Sequence, residues 1–557
     1  MRNPVSRFAY APVNLDMSRT KMKRTSTHKT TLNAGYLIPI YWDEVLPGDT
    51  FKMDVSSLVR MSTPVFPVMD NAYLDLYFFY VPNRTIWEHW KEFMGESPVD
   101  PYIESVQYSV PQMIAPVGVH VKDVPFGSLL DYLGVPAGTT VDSFNALPVR
   151  AYCKIWNDWF RDQNLMNAIN FSTGDSDTEY IDSATITYPE LDRAYFMENF
   201  HEEVGLGGYP APVSKYHDYF TSALLQPQKG DPVAIPLNGF APVYSIGGVA
   251  SFIAHEESSE VVDASDSPLN TTFGNLYANL GATGDSELTG MNVYSTINDL
   301  RYAFQIQKLL EADNRYGTRY IEIIKGHFGI DAPNAELQRA EFLGGKRVHI
   351  NMQQVLQTSA TDDVSPQGNT AAYSLTIDKG SEFVKSFTEH GIIMGVACVR
   401  TMHTYQQGLD RQFIRKDRYD YYFPELANIS EQPIYNKEIF NGSTDSNSSV
   451  ASYNPTLANE IFGFQEPWAE YRYKPNRVSG YFRSTYRDSL DSWHYADFYK
   501  EQPVLSSEWI AETDANINRT LAVSSEISDQ FIADFYFDCE TTRIMPPYSI
   551  PGLADHH

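Results

Sequence analysis

A mainly β fold is predicted by this sequence: two packed sheets arranged as a jelly roll, with long and partly helical connections. Three observations carry that expectation. Strand patterns are legible at points hundreds of residues apart, helical stretches lie between them, and two polar stretches interrupt the pattern as insertions.

The strands come first. In Tyr73–Val81, Leu74, Leu76, Phe78 and Tyr80 lie on one face, and Tyr77, Phe79 and Val81 on the other. Apolar residues on both faces mean a strand covered on both sides. Arg347–Gln353 alternates, with Val348, Ile350 and Met352 opposed to Arg347, His349, Asn351 and Gln353. Ile392–Val399 is a buried run, and Phe531, Ala533, Phe535 and Phe537 alternate with Ile532, Asp534, Tyr536 and Asp538. These segments are far apart in sequence, so they must pair non-locally.

Helices are expected at Leu147–Leu165, where Pro148 sits near a helix start, and at Tyr294–Asp313, whose apolar residues recur at helical spacing. Shorter candidates are Thr85–Met94 and Ser128–Leu133. One insertion, at about 228–293, is rich in Gly and Ser and holds one lysine against eight acids. The other is the polar loop 441–454. Stretches of this kind are expected to be exposed excursions.

Composition narrows the function classes. Hydrophobic residues make up 43% and charged residues 20%, an ordinary globular balance. The 37 Tyr and 31 Phe suit surfaces that are half apolar and half wet, such as subunit contacts. No run of about 18 apolar residues exists, so no membrane insertion is expected. The N-terminus has no apolar secretory core. Three distant cysteines, Cys153, Cys398 and Cys539, imply no disulfide framework.

Net charge is −28, but residues 1–30 hold seven basic residues against Asp16 alone, a net of +6 that leaves −34 for the rest. A protein that wraps nucleic acid over most of its surface is basic. This body is not. The division expected is a basic N-terminal arm at 1–30 and a single domain at 31–557. Arg19, Lys21, Lys23, Arg24 and Lys29 of the arm either touch phosphates by charge or drape over an acidic neighbouring subunit.

Catalytic and metal motifs are missing from the chain. There is no GxSxG elbow, HExxH helix or CxxC pair. Gly344–Arg347 lacks the spacing of a phosphate loop and reads as a turn into the following strand. Asp175, Asp177 and Glu179 lack the Gly and closing Glu of a calcium loop and read as a solvated loop. No catalytic residue, cofactor or metal site is expected, and the chain is not expected to be an enzyme.

Many short motifs, in order, then point to a family. Asp43–Phe51 (DEVLPGDTF), Arg60–Pro64 (RMSTP) and Phe78–Trp87 (FFYVPNRTIW) are followed by Asp131–Pro136 (DYLGVP) and by the IWNDWFRDQNL ending of Leu147–Leu165. Tyr219–Gly230 (YFTSALLQPQKG), Leu337–Glu341 (LQRAE), Thr404–Gly408 (TYQQG), Phe462–Lys474 (FGFQEPWAEYRYK) and Arg543–His556 (RIMPPYSIPGLADH) continue the series. With these motifs the chain resembles the major capsid protein of gokushoviruses, tailless bacteriophages of the Microviridae with circular single-stranded DNA. The resemblance spans nearly the whole chain except about 228–293 and 441–454.

That resemblance implies an eight-stranded viral jelly roll, assembled as sixty copies into a T=1 icosahedral capsid around the genome. It implies that the insertion at about 228–293 forms protrusions at the threefold axes that meet a host surface receptor. Further partners implied are the packaged single-stranded DNA, a small basic DNA-binding virion protein, and minor vertex or pilot and scaffolding proteins. Assembly would take place in the cytoplasm of a bacterial host. The arm would be the shell's inward contribution, its charges assisted by stacking of Phe8 and Tyr10. Trp468, Tyr471 and Tyr473 are candidate subunit-contact anchors, with core packing as the other account of them. Two rival readings are a carbohydrate-active or carbohydrate-binding β-sandwich, which predicts a monomer with sugar affinity, and a trimeric host-attachment spike.

Overall fold

Eight principal strands build the molecule: β1 (Thr20–Leu32), β2 (Ile38–Val45), β3 (Thr50–Met61), β4 (Ala72–Pro82), β5 (Glu341–His349), β6 (Thr376–Ser386), β7 (Gly391–Thr401) and β8 (Phe531–Arg543). In this computed structural model, residues 19–547 are described apart from 97–107, 117–122, 184–192, most of 232–296, and 318, 332, 359–360, 362–366, 369, 444–448 and 524–527. The strands form two four-stranded sheets, in the orders β1-β8-β3-β6 and β5-β4-β7-β2. All neighbours in these sheets are antiparallel.

Alternation explains how the first sheet faces the second. In β3, Phe51, Met53, Val55, Val59 and Met61 point inward, and in β8 Phe531, Ala533, Phe535, Phe537 and Cys539 do the same. They meet Leu74, Leu76, Phe78 and Tyr80 of β4 and Ile393, Ala397 and Val399 of β7 in one sandwich core. The second sheet is covered on its other face too. Phe79 and Val81 of β4 and Ile392, Met394, Val396 and Cys398 of β7 belong to a separate core with the helical connections. This is the two-sided burial that the apolar runs predicted.

The covering helices are α1 (Leu129–Leu133), α2 (Leu147–Ile155) and α3 (Arg193–Glu203), and further along the chain lie α4 (Ile297–Tyr316) and α5 (Tyr320–Phe328). Ser128 caps α1 by accepting the Asp131 N–H, and Gly134 ends it in the left-handed region. Helix α2 starts with Pro148 in its first turn, as expected, but passes into a π-turn at Trp156–Phe160 and stops at Arg161, short of the predicted Leu165. The Trp156 indole donates to the Pro212 carbonyl and the Trp159 indole to the Ala340 carbonyl, so the widened turn spreads two large rings toward different partners. The stretch predicted at Thr85–Met94 is a 3-10 turn at Asn83–Thr85 and a single helical turn at Trp90–Phe93.

Two sequence expectations are corrected. Gly344–Arg347 is no turn: it lies inside β5, with a bulge between Phe342 and Gly344. A Cβ at Gly344 would come within 2.3 Å of the Glu382 carbonyl oxygen, so close approach of β6 requires the glycine. The strand predicted at Arg347–Gln353 is two strands, because β5 ends at His349 and a separate hairpin strand, Met352–Leu356, pairs with Thr370–Ser374. Ile350 breaks the run by turning into the sandwich core.

Ion pairs clasp both open sides of the sandwich. On one side the Lys346 ammonium lies 2.6 Å from Asp378 and 2.7 Å from Glu382, joining β5 to β6. On the other, the Arg24 guanidinium of β1 donates to both oxygens of Asp43 on β2, at 2.5 and 3.0 Å. His28 of β1 adds a contact of 2.8 Å from Nδ1 to the Ile40 carbonyl. Because the Arg24 pair is partly wet, Arg24→Ala should lower stability by about 1 kcal/mol, read as a reduced denaturant midpoint with an unchanged slope.

Candidate functional site

Among the described residues, the outer face of the β1-β8-β3-β6 sheet is largely uncovered. Lys21, Lys23 and Lys29 of β1 stand on it beside Asp534, Asp538 and Glu540 of β8, Lys52, Asp54 and Arg60 of β3, and Lys379 of β6. Six cations thus face four carboxylates, a local excess of two positive charges on a chain of net −28. The β1 lysines are paired across the strands: Lys21 with Glu540 at 2.6 Å, Lys23 with Asp538 at 3.0 Å and Lys29 with Asp534 at 3.6 Å. Hydrogen bonding to Asp538 raises the Lys23 ammonium, and Lys21 lowers the Glu540 carboxyl. Such exposed pairs are individually weak, so a polyanion can exchange for them. Arg60 and Lys379 have no carboxylate in ion-pair range among the described residues.

From Thr20 onward, then, the basic N-terminal stretch is a sheet strand. Of the five basic residues singled out there, Lys21, Lys23 and Lys29 share the bare face, whereas Arg24 is turned to Asp43 in the clasp and Arg19 precedes the strand beside Gly48. Phe8 and Tyr10 lie outside the described residues.

The three aromatic candidates separate. Trp468 is buried; its indole donates to the Leu426 carbonyl at 3.1 Å and its ring meets Tyr422 edge-on. Tyr471 is 54% exposed and Tyr473 39%. Around them Arg415, held by Glu470 at 2.9 Å, lies under the rings of Tyr421 and Tyr471. Tyr419, Tyr421 and Tyr422 are also exposed there, giving an aromatic surface of the composition that protein contacts favour. Trp468 is the internal support of that surface and Tyr471 its outward part.

Three largely buried ionic clusters lie away from the exposed sheet face. Asp75 of β4 is fully buried and receives Arg347 Nε at 2.8 Å, Arg400 Nε at 3.1 Å and the Tyr216 hydroxyl at 2.8 Å. The Tyr216 ring has a guanidinium on it from each arginine, at 4.1 and 4.2 Å. A second cluster places buried His403 between Asp497 at 2.7 Å and Glu512 at 2.9 Å. Burial opposes charge on this imidazole, but the two carboxylates prevail and raise it to about 10, despite Lys215 nearby. Asp497 is held below the usual carboxylate range: burial acts the other way, and His403 and Lys215 outweigh it. In a third cluster Arg411 donates to Glu438 at 2.9 Å, whose other oxygen accepts from Tyr219 at 3.0 Å. Sequence reading missed all three. The signal available for the first was a lone Asp inside the two-faced apolar run 73–81, which demands a buried partner.

Among the described residues no cluster of His, Cys, Asp and Glu is arranged to hold a metal ion. Asp175 instead accepts from the Trp87 indole at 2.8 Å and contacts His89. All three cysteines are buried, and burial raises Cys153 and Cys398 to about 12. The chemistry assembled here is packing and charge pairing, the equipment of a structural protein that works through its surfaces.

Comparison with known proteins gives the class its particular form. A family model described as "Capsid protein (F protein)" matches residues 13–553. The chain is 39% identical to the capsid protein VP1 of Spiroplasma virus 4, over 94% of each chain. It is 36% identical to the capsid protein VP1 of Chlamydia phage 1 over 98% of each, and 36% identical to that of Bdellovibrio phage phiMH2K over 98% of this chain and 97% of the relative. The chain belongs to this family of Microviridae-type capsid proteins, as its motifs indicated, and it is a structural protein of the bacteriophage virion, built into a homo-oligomeric shell.

Proposed function

We propose that the eight strands form a viral jelly roll, that sixty copies close a T=1 icosahedral capsid, and that the bare sheet is the surface facing a circular single-stranded DNA genome. The sheet orders β1-β8-β3-β6 and β5-β4-β7-β2 support the first point, since this is the order in which a ribbon of eight strands rolls into two sheets. One observation carries the last. Helical connections cover the outer face of one sheet, while the other sheet is largely open among the described residues and locally basic on an acidic chain. Exposed cations on a flat face suit backbone contact without sequence preference.

The remaining roles follow the same reading. Residues 1–30 contribute to the inward surface, with Lys21, Lys23 and Lys29 on the sheet itself. The insertion at about 228–293, nearly all outside the described residues, forms a threefold protrusion that meets a host receptor. Tyr471 and Tyr473 sit in subunit contacts. An excess of two charges per subunit cannot neutralise a genome, so a small basic virion protein accompanies the DNA, and vertex, pilot and scaffolding proteins complete assembly in the bacterial cytoplasm.

The test is the double substitution Arg60→Glu and Lys379→Glu on the open face. Particles should still form, because neither side chain braces the fold, but their ratio of absorbance at 260 to 280 nm should fall toward that of protein. Normally filled particles would remove the assignment of this sheet to the genome side.

A further inference from the structure

Strands β4 and β7 lie side by side and antiparallel, with Pro82 beside Gly391 at one end and Ala72 beside Thr401 at the other. Each is eleven residues long, so the two ends stand roughly 33 Å apart. The chain places charge of opposite sign beyond them.

The connection leaving β4 is acidic. Glu88, Glu92 and Glu96 follow Pro82, and the loop carrying Asp175, Asp177 and Glu179 is tied onto them. The Glu88 N–H donates to the Thr173 carbonyl at 3.0 Å, the Thr173 hydroxyl to Glu88 at 2.7 Å, and the Trp87 indole to Asp175 at 2.8 Å. His89 is paired with Asp175, but the other five carboxylates have no cation in ion-pair range among the described residues. Of the nearby cations, Arg84 is held by Glu389, and buried Arg150 donates to the Ile86 and Gly174 carbonyls, which leaves Lys91 exposed. Phe93 and Met94 are exposed on the same connection.

Beyond Thr401 the sign reverses. The segment Tyr471–Arg487 holds five cations and no acid on a chain of net −28. The Tyr405 N–H, which donates to the Asn476 carbonyl at 3.3 Å, ties this segment to the end of β7. A cavity of about 210 Å³ there has Phe413, Tyr473, Lys474, Arg477 and Arg483 on its wall. Three carboxylates share that wall, but Glu438 is held by Arg411 and Glu470 by Arg415, leaving Asp410. Lys474 and Arg477 have no carboxylate in ion-pair range among the described residues. Phe413 is 72% exposed, so aromatic surface adjoins unpaired charge, a combination that protein contacts favour.

A subunit with one basic end and one acidic end is complementary to a copy of itself placed head to tail, the heterologous contact that closes a ring. We propose that the Phe413, Tyr473, Lys474 and Arg477 surface of one copy docks on the acidic face of the next, formed by Glu88, Glu92, Glu96, Asp175, Asp177 and Glu179. The proposal rests on the assignment of Tyr473 to a subunit contact and names its partner. The occupant is a second copy because the protein works as a shell of copies and the matching carboxylates stand unpaired on this same chain. Tyr219, Phe220 and Tyr405 of the cavity wall also belong to the core on the covered side, away from the open sheet assigned to DNA.

Zero-length cross-linking of assembled wild-type particles tests this directly. A carbodiimide joins an ammonium to a carboxylate only where the two touch, so digestion should release a peptide linking Lys474 to residues 88–96 or 173–179. With the ends roughly 33 Å apart, that link can form only between copies. Lys474→Arg, which keeps the charge and removes the amine, should assemble and lose the peptide. Lys474→Glu with Arg477→Glu should cut particle yield at least tenfold, since like charges then face one another. The free subunit should melt within about two degrees of wild type, as surface changes do. Glu96→Lys with Glu179→Lys should behave alike, and all four together should restore yield to within about threefold. Lys474 linked only to other segments, or no recovery in the fourfold variant, would overturn the proposal. So would normal yield from the Lys474 and Arg477 reversal; a fall in the 260 to 280 nm absorbance ratio in its place would give the surface to DNA. Tyr473→Ser keeps the two levels apart. Particles lost there, beside normal yield from the charge reversal, would leave the subunit contact standing and remove its acidic partner.

Discussion

Asp75→Ala should destabilise the subunit by about 3–5 kcal/mol, the range for removing one partner of a buried ion cluster. The carboxylate is fully buried between Arg347 and Arg400 and also accepts from Tyr216. Without it two guanidiniums would face one another across a tyrosine ring with no counter-charge. Arg400 is largely buried and Arg347 half exposed, so Arg400→Ala should cost more than Arg347→Ala. Denaturant unfolding of the subunit measures all three. An Asp75→Ala midpoint equal to wild type would mean that water reaches the site and that the cluster is dispensable.

The second large effect is alkaline. His403 has its pKa raised from an ordinary 6.5 to about 10, so its charge contributes stability that is fully present below about pH 6.5 and is lost as pH rises through about 10. Asp497 is depressed, so its share is present above the ordinary 3.8 and is lost in acid. The pair is one interaction seen from two sides. His403→Gln should therefore flatten the stability profile between pH 6.5 and 10 and lower stability at neutral pH by about 3 kcal/mol, because two buried carboxylates lose their cation. Melting temperatures recorded across that pH range for both proteins decide the matter; parallel curves would place the alkaline loss elsewhere.

How much of this was legible in the chain varies by element. Strands β4, β7 and β8 announced themselves because most of their buried positions carry apolar side chains. Strand β1 did not, since its inward positions include Arg24, Ser26, His28 and Thr30, of which Arg24 donates to Asp43 and His28 contacts the Ile40 carbonyl at the sandwich edge. A strand whose core face is polar reads as a basic tail. The missed clusters had a different cause: Asp75 lies 272 residues from Arg347 and 325 from Arg400, and His403 is 94 from Asp497, distances over which no local pattern links partners. The candidate surfaces were half legible. Lysines at 21, 23 and 29 marked a basic face, but the carboxylates that temper it come from the other end of the chain. The WAEYRY segment announced aromatic density without showing that its Trp faces in and Tyr471 out.

The pairing of β1 with β8 also sets a timetable. All thirteen residues of β1 are matched to β8, and β8 lies between β1 and β3. The strand made first therefore waits for one of the last to leave the ribosome. At the usual 5–20 residues per second, translating the roughly 500 residues between them takes about 25–100 s. Throughout that interval β1 has no strand in its sheet to pair with, β3 can pair only with β6, and the four-stranded sheet stays incomplete. A nascent chain is thus barred from presenting a finished face to its neighbours, and shells are recruited from released, completed subunits. The same delay leaves unpaired strand edges open to wrong partners, so this late closure makes the unfinished chain a natural client of chaperones.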